Sequence, residues 1–176
     1  MARVLLLVVS VFGSFALLQE PVRRLETMVA GYVTGVLPGP PVYVYDTWIV
    51  LRPPDGAYIR AALSPSCSAL AAVLALVAVG VVAPRASLGR KVLAIGVAVG
   101  AVVLGNFARL VGSLVAGNLI GRSGLVAFHD VVGSMMTFLF VIGGYVLMLM
   151  VLLPRERRPA TLEAPLPVTR GPVHAR

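Results

Sequence analysis

The sequence predicts an all-α integral membrane protein with four transmembrane helices, plus an interfacial helix and a small extracytoplasmic β-hairpin between spans one and two. Composition, the lengths of the apolar runs and their basic borders predict it. Of the 176 residues, 59% are hydrophobic and 12% charged, and the mean hydropathy is +0.95. That is more apolar surface than a soluble domain of this size can bury, so lipid must solvate part of it. The formal net charge is +8. Nucleic acid is not an expected partner, because the basic residues border apolar runs and form no face interleaved with aromatic rings.

The elements follow in order. Span one covers residues 3–19, apolar from Val4 to Leu18 behind Arg3 and slightly short of the roughly 20 residues that cross a bilayer unaided. Gln19-Glu20-Pro21 supplies no small-x-small cleavage site, so the segment reads as a retained anchor and not a signal peptide. Over residues 21–37, Val22, Leu25, Val29, Tyr32 or Val33, and Val36 recur at helical spacing while Arg23, Arg24 and Glu26 crowd the start. This predicts an interfacial helix, ended by Pro38-Gly39-Pro40-Pro41.

Residues 43–63 predict a hairpin. Tyr43 to Leu51 is rich in β-branched and aromatic residues, Arg52-Pro53-Pro54-Asp55-Gly56 is a turn, and Ala57 to Leu63 returns. An isolated hairpin is marginal in water, so it should rest on helices or on the lipid interface. Spans two, three and four cover residues 66–83, 91–116 and 129–153, bordered by Pro84-Arg85, Arg90-Lys91 and Pro154-Arg155-Glu156-Arg157-Arg158. Residues 154–176, basic and proline-rich, read as a disordered cytoplasmic tail behind a membrane domain of residues 1–153. Gly96, Gly100 and Gly105 would let helices approach closely.

Arginine and lysine set the orientation. Arg85, Arg90 and Lys91 share one tight loop, Arg155, Arg157 and Arg158 follow the last span, and Arg3 joins them on the same side. That side is expected to be the cytoplasm, which puts both termini inside and the hairpin outside the cell membrane.

This topology brings three chemically capable residues to one depth. Cys67, the only cysteine, opens span two. From Val92 to Arg109 span three rises roughly 26 Å, nearly the hydrocarbon thickness, and His129 opens span four from the same side. A single cysteine excludes an intramolecular disulfide or a cysteine-based metal cage, and no cofactor is called for. It leaves packing, lipidation or nucleophilic attack.

The nucleophilic reading gives each residue a role. A helix start after Ser64-Pro65-Ser66 presents unpaired N–H groups that suit a thiolate at Cys67. His129 would move protons, and Arg109, costly inside a span, would stabilise an oxyanion or grip a carboxylate. Asn106, one turn earlier, would orient Arg109 or add a donor. Asp130 points about 100° from its neighbour on an α-helix and fits a cap better than a triad. The alternative is a non-enzymatic scaffold or transporter subunit, with Arg109 binding lipid phosphate or an anionic solute and Cys67 incidental.

Three short motifs resemble those of the exosortase/archaeosortase superfamily: Cys67-Ser68-Ala69, Asn106-Phe107-Ala108-Arg109 and His129-Asp130-Val131-Val132-Gly133. Each opens or closes a span in the family's order, and the resemblance covers roughly residues 10–150, as a short, minimal-core member. It implies a Cys/Arg/His site formed by Cys67, Arg109 and His129, acting as a membrane cysteine protease or transpeptidase. Its substrates would be exported proteins ending in a short motif, a transmembrane helix and an Arg-rich tail, with membrane lipid or a surface acceptor receiving the cleaved chain. Ala69 stands where many members have glycine, and the family's bacterial members often have about eight spans.

Overall fold

Helix α1 runs without a break from Ala2 to Val36, with Pro21 inside it. The computed structural model describes residues 2–53, 56–83 and 86–153. The predicted tail, the Pro84-Arg85 border and the Pro54-Asp55 part of the predicted turn lie outside the described residues.

At about 1.5 Å per residue α1 is roughly 50 Å long against about 30 Å of hydrocarbon, so one helix replaces the predicted short span and separate interfacial helix. Proline removes one i→i−4 hydrogen bond, yet the helix continues through it. The turns beyond Pro21 are fastened independently. Arg23 donates to the Leu63 carbonyl, Thr27 and Ala30 are fully buried, and Gly31 leaves room for Val44 against the helix backbone.

The predicted two-stranded hairpin is a three-stranded antiparallel meander: β1 (Val42–Tyr45), β2 (Trp48–Leu51) and β3 (Ile59–Ala62), in the order β1-β2-β3. The stretch read as one strand is cut by Asp46-Thr47. Asp46 takes a φ of 54°, a left-handed conformation that a short polar side chain tolerates, and Tyr45 then pairs with Trp48. Alternation directs Val42, Val44, Ile49, Leu51, Ile59 and Ala61 inward, where they pack with Ala30, Leu63, Cys67, Leu110 and Leu114. The meander therefore rests on α1 and on the far half of α3, as a marginal sheet must.

A 3-10 turn, Pro65–Cys67, leads into α2 (Leu70–Val82). Helix α3 (Leu88–Ile120) follows, then α4 (Arg122–Ala127), a π-helical turn (Phe128–Val132) and α5 (Gly133–Leu152). Gly121 makes the α3–α4 corner at a φ of 81°, open to glycine at little cost. The run from Arg122 to Leu152 is one nearly continuous helix, so the predicted start of span four at residue 129 falls inside it.

Among the described residues three helices are long and apolar enough to cross a membrane: Leu5–Val36, Leu88–Ile120 and Arg122–Leu152. Predicted span two, residues 66–83, corresponds to α2, whose 13 residues reach only about 20 Å. It packs on α3 and α5 in a second apolar cluster of Ala69, Leu76, Ala94, Ala98, Val102 and Met148. No residue of the apolar window of α1 is buried, and Phe138, Leu139 and Met150 of α5 also face outward. Lipid must cover these side chains, and the protein is a membrane protein.

Helix α3 is central and packs most closely on α5. Gly105 lies under the Phe140 ring and Gly112 under Phe128, whereas Gly96 and Gly100 face open space. Of the three glycines read as contact points, only Gly105 serves as one. Gly105→Val should therefore overpack the α3–α5 seam and cost about 1–3 kcal/mol. Thermal unfolding in detergent should show a lowered midpoint for this variant and an unchanged one for Gly100→Val.

Candidate active site

Cys67 ends the 3-10 turn and does not lie in the first turn of α2, which starts at Leu70. The helix-start argument for its thiolate therefore does not apply as the sequence suggested. Its amide donates to the Ser64 carbonyl at 2.9 Å, and its Sγ lies 3.1 Å from the Ser64 hydroxyl, itself 2.7 Å from that of Ser66. The thiol is buried but touches polar atoms on two sides.

Arg109 projects from α3 and is also buried. Its side chain lies across Gly133, where a Cβ would stand 2.6 Å from its Cγ and 3.0 Å from its Nε. Only glycine leaves room for the guanidinium to pass α5, which gives the last residue of the third motif a steric reason.

His129 sits within the π-helical turn. An extra residue in a helical turn re-aims side chains, and such turns occur disproportionately at functional sites. The imidazole Nε2 lies 3.2 Å from Cys67 Sγ and 3.2 Å from an Arg109 terminal nitrogen. Its Nδ1 lies 2.8 Å from Asp130 Oδ1. The three residues that the sequence set at one depth thus meet at one nitrogen.

The network selects one tautomer. Arginine can only donate, so Nε2 must offer its lone pair, and the ring proton then sits on Nδ1, donated to Asp130. His129 is in this state an acceptor aimed at the thiol. Asp130, expected to cap a helix, has no helix start to cap because helix precedes it. It orients the imidazole instead.

Asn106 does not touch Arg109 through a hydrogen bond. Its Nδ2 donates to Glu26 Oε1 at 3.2 Å, and the same oxygen accepts the Ala69 amide at 3.0 Å. Glu26 of α1 thereby ties α3 to the backbone two residues past Cys67, while its Oε2 is buried without a partner. The sequence reading left Glu26 among surface charges. Glu26 lies one helical turn before Ala30 and beside Thr27, both fully buried, a placement that no local pattern marks. Arg23, likewise missed, holds the end of β3 through the Leu63 carbonyl and bonds Glu20 at 3.1 Å.

A groove of about 360 Å³ opens beside these residues, lined by β3, Cys67 and His129, with Leu110, Leu114, Leu125 and Val126 on its helical wall. It is smaller than the depressions on the outer sheet face and beside α1, but of the three it is the one that reaches the thiol.

These features define a helical membrane protein with a buried cysteine, a buried arginine and a half-buried histidine drawn from separate elements. A family model described as transmembrane exosortase matches residues 1–154, and the chain belongs to that family. No curated protein and no solved structure matches it.

Removing the Glu26 carboxylate should leave the Ala69 amide and Asn106 unpaired at a cost of about 1–3 kcal/mol. Glu26→Ala should loosen the Cys67 turn and speed alkylation of this single cysteine by a small maleimide. Glu26→Gln keeps an acceptor oxygen and should stay near the parent rate.

Proposed function

We propose that this chain is a membrane-embedded cysteine protease or transpeptidase that cleaves the C-terminal sorting signal of exported proteins. One observation carries the reading: a single lone pair, on His129 Nε2, faces both the Cys67 thiol and the Arg109 guanidinium at 3.2 Å. A thiol packed only for its volume needs no base beside it, and an arginine snorkelling to lipid phosphate would not turn inward to a histidine.

The chemistry follows from that arrangement. Cys67 gives its proton to Nε2, and the thiolate attacks the scissile carbonyl. A protonated Nε2 has no lone pair left for Arg109, so the guanidinium is released next to the developing oxyanion, which it stabilises. The tetrahedral intermediate collapses, the C–N bond breaks, and His129 returns the proton to the departing amine. A thioacyl enzyme remains. Water, or a nucleophile on a lipid or surface acceptor, then loses a proton to His129 and attacks the thioester, releasing Cys67. Asp130 holds the imidazole in the required tautomer throughout, and Glu26 with Asn106 fixes the backbone behind the nucleophile.

The substrates in this reading are exported proteins that end in a short motif, a transmembrane helix and an Arg-rich tail. Both termini of the enzyme face the cytoplasm and the site lies near the extracytoplasmic face of the cell membrane, a placement supported by the arginines that border the apolar runs.

Co-expression with such an exported protein tests the activity. Cys67→Ala should abolish processing while the variant remains in the membrane, and normal processing by it would reject the nucleophile. Gly133→Ala, which displaces Arg109 without removing it, should lower the processing rate by about tenfold or more, on the scale of losing one oxyanion donor. A membrane-impermeant thiol reagent should label Cys67 from outside intact cells; labelling from the cytoplasmic side alone would invert the topology.

A further inference from the structure

The meander ends on a strand with one neighbour. β3 pairs with β2 and with no other strand. The pairing phase can be read from the ladder: Trp48 stands opposite Ala62, and one step further the Leu63 amide donates to the Thr47 carbonyl at 3.1 Å. Hydrogen-bonded and non-hydrogen-bonded pairs alternate along antiparallel strands. Leu63, Ala61 and Ile59 therefore direct their backbone groups to β2, and Arg60 and Ala62 direct theirs to the opposite side.

That side is the groove that reaches Cys67, which residues 59–64 line continuously. Strand edges are normally blunted by shortness, charged side chains, proline, a bulge or a covering segment, and β3 is short and carries Arg60. It has no proline to remove a backbone donor from that edge, and its two alanines leave lateral room. Helical residues Leu110, Leu114, Leu125 and Val126 form an apolar wall facing the edge. Arg60 and Arg122 also line the groove, no acidic residue does, and neither arginine has an ion-pair partner within 4 Å among the described residues. The occupant must therefore supply backbone donors and acceptors at strand spacing, place apolar side chains against the helices, and not be basic.

We propose that the substrate segment carrying the scissile bond enters as a fourth strand, paired with the free edge of β3 through the backbone of Arg60 and Ala62. This rests on the protease reading above and adds to it the conformation in which the peptide is held. A helical segment has its carbonyls engaged in i→i−4 bonds, whereas an extended one presents a carbonyl free for attack. Strand addition also secures affinity through main-chain bonds and leaves sequence choice to the side-chain pockets.

The test uses Cys67→Ala protein in nanodiscs and peptides spanning the cleavage site and apolar helix of a processed exported protein, each N-methylated at one backbone position. A strand turns every second amide to its partner, so methylation at alternate positions should weaken binding by about tenfold, the worth of one well-made hydrogen bond, with the positions between nearly unchanged. Ala62→Pro in the active protein removes one donor from the free edge and none from the β2 ladder, and should raise KM for the unmethylated peptide severalfold with little change in kcat. Uniform or non-alternating effects across the peptide series would overturn strand pairing, even where Cys67-dependent cleavage stands. Cleavage that persists in Cys67→Ala would instead remove the protease reading itself.

Discussion

Buried polar groups away from water have to satisfy one another, and in this protein that requirement converges on the His129 imidazole. Its Nε2 lies 3.2 Å from both the Cys67 thiol of the 3-10 turn and the Arg109 guanidinium of α3, and its Nδ1 is held by Asp130. Charged and polar groups are expensive where lipid surrounds a protein, so such a cluster persists only when its members supply one another's hydrogen bonds. The π-helical turn, the glycine under the Arg109 side chain and the short turn that carries Cys67 all serve that one meeting point.

A second polar node makes the first rigid. Glu26 joins α1, the start of α2 and α3 through the Ala69 amide and Asn106, and Arg23 joins α1 to the end of β3. Helix α1 is thus more than a membrane anchor: its second half is a strut on which the meander and the Cys67 turn are mounted. The Arg24–Asp46 pair at 2.9 Å adds a link to the β1–β2 turn, but both side chains are more than half exposed, so its contribution is small. The apolar cluster of Ile49, Leu51, Leu110 and Leu114 supplies most of the adhesion between sheet and helices.

Much of this was legible in the residues. Long apolar runs required helices in lipid, and the rise per residue set Cys67, Arg109 and His129 at a common depth before any contact was known. The errors have specific causes. Span one and the interfacial helix read as separate because the apolar run ends at Leu18, and local hydropathy cannot see the tertiary contacts of Arg23, Thr27 and Gly31 that carry one helix through both. Asp46-Thr47 was passed over because a two-residue turn inside a β-rich stretch leaves little compositional trace. The α-helical rule of about 100° per residue sent Asp130 away from His129, and a π-helical turn does not obey it.

The sequence by itself determined that the chain lives in a membrane, how its helices are ordered, and which three residues share a depth, because hydropathy and helical rise are properties of segments. Only the tertiary structure decided which way those residues turn, that Glu26 and not Arg109 receives Asn106, and that β3 offers an open edge to the groove beside the thiol. Side-chain direction and pairing phase depend on contacts between elements far apart in the chain, and no local pattern encodes them.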